Sequence, residues 1–303
     1  MSSATQTSSR PLAGILWMLL TGICFVCMTA LVKLLGPSMH PIQAGFLRYL
    51  LGLVFLLPAI RPLLATRLTG RQWRLFGLRG VLHAVGVMLW FFAMTQIPLA
   101  EVTAMNYLTP VYVTLGAALL LGETLAARRI SAVIVALVGA VIILRPGFRE
   151  IAPGHLAMLG TSLLLGGSYL LAKVTVDEVS PAVVLAQLSL WVTLFLAPFA
   201  AAVWSPPSWA ELGILFLIAT FATGGHYFMT LALQAAPVAV TQPVTFLQLI
   251  WSVALGAAVF GEGVDVWVVA GGTLILAAVS FITWREAVLR RRALTPPSVG
   301  PKL

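Results

Sequence analysis

Arg79, His83, Gly86 and Trp90 follow one another at spacings of four, three and four residues, so a helix would carry them all on one stripe. A cation, an imidazole, a gap and a large flat ring on one face could hold a polar organic molecule by hydrogen bonding and stacking. The stripe could also be internal packing, with His83 bonded to a neighbouring helix. His226, on one face with Thr223 and Thr230, offers a second imidazole under the same two readings. Asn106, Tyr107 and Thr109 form a polar cluster beside Pro110, which frees a backbone carbonyl one turn earlier. Thr241, Thr245, Gln248 and Ser252 share another stripe. The two clusters match at an offset of 139: Thr103 with Gln242, Asn106 with Thr245, Thr109 with Gln248. Such hydroxyls and carboxamides can hold a zwitterion without a fixed charge. They can also join helices, at about 0.6 kcal/mol per bond. Trp17 (with Thr21 and Cys24) and Tyr169 (with Ser162, Gly166 and Lys173) would present flat surfaces to a hydrophobic molecule. Trp251, near mid-segment, is expected to face a cavity and Trp191 to face outward.

The segments that must position these residues are apolar throughout. Hydrophobic residues make up 60% of the 303, charged ones 9%, and the mean hydropathy is +1.02, which leaves no room for a soluble domain. The chain reads as an all-α integral membrane protein. Runs long enough to cross a bilayer lie at 12–35, 41–60, 74–96, 100–121, 130–146, 154–175, 181–203, 210–233, 238–260 and 264–284, ten spans in all. Pro and Gly punctuate the short connections, so consecutive spans are expected to be antiparallel neighbours. The run after Pro11 is too long for a signal-peptide core and reads as the first span. Cys24 and Cys27 lie inside it and imply no disulfide framework.

The chain is one unit written twice. Gly14, Lys33, Pro41 and Pro58 recur as Gly154, Lys173, Pro181 and Pro198. Pro98, Leu108 and Gly122-Glu123 recur as Pro237, Leu247 and Gly261-Glu262. Residues 12–146 and 154–284 are the two five-span repeats, between a tail at 1–11 and a basic tail at 285–303. Five is odd, so the second copy should enter the membrane inverted. The arginines agree. Arg61, Arg67, Arg71 and Arg74 follow span two, and Arg128 and Arg129 follow span four. The equivalent connections of the second copy, from Trp204 to Glu211 and from Gly261 to Val266, hold no Lys or Arg. Cytoplasmic loops collect Lys and Arg, so the first set and both termini are expected in the cytoplasm. Arg145 and Arg149 are exceptions to that pattern. The net charge of +9 therefore reports orientation, with no nucleic-acid partner implied.

The nine acidic residues all fall at span ends or in loops. Carriers driven by protons or sodium commonly keep a carboxylate at bilayer depth, so this distribution points to facilitated diffusion or exchange. Arg48 is the one unpaired cation well inside a span, with Leu188 as its counterpart. It could contact a substrate carboxylate or snorkel to the interface. Lys33 and Lys173 are expected to set helix depth, and Ala132, Ala136 and Ala140 to let helices approach closely. There is no HExxH, GxSxG or phosphate-loop motif, so no enzyme, metal site or cofactor is expected.

Two five-span units, each closing on small residues and Gly-Glu before its last span, resemble the EamA family of the drug/metabolite transporter superfamily, and within it the YddG-type exporters of aromatic and neutral amino acids. The resemblance covers residues 12–284. It implies a central cavity between spans one, three, four, six, eight and nine, and alternating access with the two copies exchanging roles. Relatives of the superfamily that use a Glu in the first span, or basic residues in late spans, are unlike this chain. The expected activity is export across the inner (plasma) membrane of small neutral or zwitterionic metabolites, amino acids including aromatic ones above all. The bilayer and a small-molecule substrate are the expected partners, and the sequence is silent on oligomeric state. A proton-coupled drug or metabolite exporter, a channel and a non-transporting scaffold are the alternatives.

Overall fold

The computed structural model describes residues 10–121, 127–175, 178–236 and 238–294. They form thirteen α-helices and, among the described residues, no strand: α1 (Pro11–Leu35), α2 (Pro41–Gly52), α3 (Ile60–Ala65), α4 (Gly70–Gln96), α5 (Leu99–Asn106), α6 (Thr109–Leu121), α7 (Ala127–Leu144), α8 (Pro153–Thr175), α9 (Pro181–Ala202), α10 (Trp209–Ala235), α11 (Val238–Thr241), α12 (Phe246–Phe260) and α13 (Val266–Leu294). Eight stretches are long and apolar enough to cross a membrane, and α12 is a shorter apolar helix.

Three expected spans are not single straight α-helices. The second is α2 joined to α3 by a 3₁₀ stretch, Leu53–Ala59, that contains Pro58. The fourth is broken into α5 and α6 at Tyr107 and Leu108. The ninth is α11 and α12 joined by a 3₁₀ turn at Gln242–Thr245. The physical reason is proline: Pro110 and Pro243 lack the N–H an unbroken helix would use. The last helix runs to Leu294, ten residues past the expected end of span ten at 284.

The duplication is visible in how helices begin. At α4, Thr69 accepts from the N–H of Gln72 (3.3 Å) while the Gln72 side chain accepts from the N–H of Thr69 (2.9 Å). Ser208 and Glu211 repeat this box at α10, with bonds of 3.2 and 2.7 Å. Each box satisfies two backbone donors left over at a helix start.

Each copy packs largely on the other. α1 lies along α10, α4 along α8, and α7 along α13. The last pair touches backbone to backbone, since a Cβ on Gly139 would sit 2.7 Å from the Gly271 carbonyl oxygen. Ala132, Ala136 and Ala140 are buried in α7, as close packing requires. Trp191 departs from expectation. It packs on α4, where a Cβ on Gly80 would meet its own Cβ at 2.4 Å, and its ring lies 6.1 Å from that of Trp73. Two glycines on α4, Gly77 and Gly80, make the slot the indole needs.

Candidate functional site

A cavity of about 840 Å³ lies between the two halves, bordered by α1, α2, α4, α5, α6, α8, α10, α12 and α13. Its size is within the range of about 300–1,000 Å³ usual for small-molecule sites. Arg48, His83, Trp90, Asn106, Tyr107, Thr109, Tyr169, His226, Thr245 and Gln248 all line it. Trp17 and Trp251 do not. Trp17 stacks on Phe228 of α10 at 5.6 Å, and Trp251 fills the space above Gly22 of α1, where a Cβ would come within 2.9 Å of it. Both indoles join helices instead of facing the cavity. The side chain of Gln242 lies outside the described residues.

The two readings of His83 turn out to be compatible. Its Nε2 is bonded to Tyr49 Oη at 2.8 Å and its Nδ1 to Ser168 Oγ at 3.1 Å, so it ties α2, α4 and α8 together while one edge faces the cavity. Arg79, one turn earlier, is buried behind it and donates to the Val184 carbonyl at 3.0 Å. Tyr169 lies edge-on to His83 at 6.3 Å and is 40% exposed. Across the cavity, His226 meets Phe25 edge-on at 5.1 Å.

The broken helices supply the polar floor. Tyr107 donates from Oη to the Thr245 carbonyl at 3.0 Å, so the interruption of one copy is bonded to that of the other. Asn106 Oδ1 and Thr109 Oγ1 are buried at this floor without a hydrogen-bond partner among the described residues. Buried acceptors of this kind cost about 1–3 kcal/mol each unless something bonds them.

Tyr49, Phe25 and Phe91 also line the cavity and were missed by the search for polar stripes. Tyr49 carried a signal, a phenol next to the embedded Arg48. The two phenylalanines carried none beyond their helical register.

The cavity is unevenly closed. At the end of the bundle bearing Glu262, Lys33 pairs with Glu262 and donates to the Ile97 carbonyl at 3.0 Å. Glu262 Oε2 accepts from the Leu99 N–H at 2.9 Å. Gly261, at φ +65°, turns the chain so that Glu262 reaches back; only glycine adopts this conformation cheaply. Lys33 is therefore a structural link, more than a marker of depth. Nearby, Thr103 donates to Ser252 at 2.9 Å, Arg145 pairs with Asp265, and Arg149 grips both oxygens of Glu101 at 2.9 and 3.0 Å while His155 bonds the same carboxylate. These acids explain why Arg145 and Arg149 departed from the loop-charge pattern. Glu101 is 3% exposed but stands in the first turn of α5, outside the cavity. Among the described residues, no carboxylate lines the cavity.

At the opposite end, bearing Arg129, α6 packs on α8 and leaves the space beneath Thr114 and Ala117 as part of the cavity. The ties here join helices that already lie side by side. Arg71 and Gln72 bond Glu178 at 2.5 and 3.0 Å, and the Arg10 N–H bonds the Ala235 carbonyl at 2.8 Å.

Comparison with known proteins gives a consistent picture. The sequence profile of the EamA-like transporter family matches residues 12–145 and again 152–284. A riboflavin transporter of Rhizobium johnstonii is 32% identical over 96% of this chain and 99% of its own length. A riboflavin transporter of Vibrio cholerae is 26% identical over 93% and 97%. An S-adenosylmethionine uptake transporter of Rickettsia prowazekii is 24% identical over 91% and 94%. A solved structure at 18% identity, covering 91% of this chain and 98% of its own, superposes with a TM-score of 0.59 and shares the fold.

Proposed function

The chain belongs to the EamA-like transporter family, and on that premise we propose that it is an inner-membrane carrier for small planar aromatic metabolites of the riboflavin kind. The observation that carries this reading is the cavity itself: aromatic walls from Trp90, Tyr107 and Tyr169, a polar floor, and no carboxylate. Flat rings stack on such walls, and the carboxamide, hydroxyl and phenol groups fix the polar edge. Riboflavin is neutral and fits this chemistry. S-adenosylmethionine adds a sulfonium cation to its amino-acid group, and for that sulfonium the described lining offers two arginines and no counter-charge.

The arginine-rich connections support an orientation with the Arg129 end in the cytoplasm, together with both chain termini. The described conformation then faces inward, with the Glu262 end shut. Alternating access follows from the inverted repeat, since each copy can take the other's arrangement. Net flux down the substrate gradient is the expectation, since no carboxylate among the described cavity residues offers a site for a driving cation.

A second reading, the export of aromatic amino acids expected from the sequence, is favoured by Arg48, which could bind an α-carboxylate. One experiment separates the readings. The protein is reconstituted in liposomes preloaded with unlabelled substrate, and entry of labelled riboflavin, tryptophan and S-adenosylmethionine is followed. The primary reading expects riboflavin entry accelerated by internal riboflavin. Tryptophan exchange alone would establish the second reading. Entry without trans-acceleration would indicate a channel, and no flux of any of the three would overturn the proposal.

A further inference from the structure

Arg48 is a cation embedded in α2, and the cavity is where its charge is directed. The guanidinium lies 4.0 Å from the centre of the Tyr49 ring. That ring is buried, its hydroxyl is fixed by His83, and His83 is fixed by Ser168. The surface under Arg48 is therefore rigid, and stacking sets the plane in which its donors point. Among the described residues it has no ion pair and no hydrogen bond, whereas Lys33, Arg145 and Arg149 are neutralised and Arg79 donates to a carbonyl. A charge held in low dielectric acts strongly on whatever shares the space, and His83, His226 and Tyr169 line the same cavity. Leu188 takes its place in the second copy, so the repeat supplies no symmetric counterpart to this charge.

Resting on the carrier reading above, we propose that Arg48 determines specificity: it takes a substrate edge bearing two adjacent acceptor atoms in one plane, and it turns organic cations away. A carboxylate, and the adjacent carbonyl oxygen and imine nitrogen of an oxidised flavin ring, both present that edge to a guanidinium fork. The rings of Trp90 and Tyr169 would hold the flat body of the same molecule.

The test uses the full chain in liposomes with riboflavin (a carbonyl–imine edge), tryptophan (a carboxylate) and N-methylquinolinium (a planar cation without a carboxylate) as probes. Whichever of the first two the wild type carries, Arg48→Gln should lose roughly tenfold in rate at limiting substrate, the worth of one charge-assisted bond. Arg48→Lys should recover only part, since an ammonium lacks the planar fork. Entry of N-methylquinolinium should rise in Arg48→Gln. Unchanged rates in a monodisperse Arg48→Gln protein, or wild-type uptake of the cation as fast as of the other probes, would overturn the assignment while leaving the carrier reading intact. Absence of wild-type flux for all three would count against the carrier reading first, and against this assignment with it. If the variants fail to insert, competition on the wild type decides: tryptophanamide, a cation at neutral pH, should inhibit far less than tryptophan when tryptophan is the cargo. When riboflavin is the cargo, a flavin bearing an amine should inhibit far less than one bearing a carboxylate. Equal inhibition rejects the proposal.

Discussion

The two ends of the bundle are tied in different ways. At the Glu262 end a single lysine–carboxylate pair gathers elements from both copies. Lys33 of α1 reaches Ile97 at the end of α4 and Glu262 beyond α12, and Glu262 caps α5. At the Arg129 end the bonds stay within pairs already in contact: α4 with the turn after α8, and α1 with α10. The first kind of tie must break if the halves are to separate; the second need not. The difference identifies the end that is held shut and the one that is free to admit solute.

The largest effect should come from the most buried tie. Glu101→Ala removes the carboxylate that Arg149 and His155 share and should lower stability by about 3–5 kcal/mol, read as a fall in Tm in detergent. An unchanged Tm would mean that the Glu262 end is not held by this cluster. Next is the contact common to both ends. Gly139→Val forces a side chain toward the Gly271 carbonyl and should cost about 1–3 kcal/mol by overpacking, measured in the same way. Lys33→Met should affect the conformational balance more than stability. Losing a charged hydrogen bond at the shut end should favour the alternative state by about tenfold. A cysteine at Val102, with Cys24 and Cys27 replaced, should then react faster with an impermeant maleimide added from the Glu262 side. No change in labelling would show that the tie does not govern access. The smallest effect is expected from Arg71→Ala, because both partners of that pair are largely in solvent. Hydrogen bonds from Gln72 and Arg71 hold the Glu178 carboxyl below its usual range. Its contribution is complete above the ordinary carboxylate pKa and is lost only as pH falls through the lowered value. Although complete at neutral pH, that contribution is screened by solvent, so Arg71→Ala should leave both Tm and flux near the wild-type values.

Much of this arrangement could be read from the amino acids. Family, repeat and all-helical class followed from the matching Gly-Glu segments and the apolar runs. The cavity residues His83, Asn106, Thr109 and Gln248 followed from polar side chains that a lipid-facing surface would not carry. The helix interruptions at Tyr107 and at Gln242–Thr245 were less legible, although Pro110 and Pro243 announced them. A proline in a membrane span is often tolerated with only a kink, so its presence alone does not fix a break. The indoles misled because an aromatic ring fits a cavity and a helix joint equally well. Only the facing glycine decides, as Gly22 does for Trp251 and Gly80 for Trp191. Lys33 with Glu262 was illegible for a different reason: 229 positions separate them, and nothing in either residue names the other.

The pairing of α1 with α10 and of α4 with α8 has a consequence for how such a chain could arise and be made. Each repeat lends its helices to its twin, as the fingers of clasped hands do, so neither is a self-sufficient module. A gene fragment ending near Gly147 should yield polypeptide that survives in cells only when the complementary fragment is expressed beside it. The ancestral single-copy gene, by the same logic, must have served as its own upside-down mate.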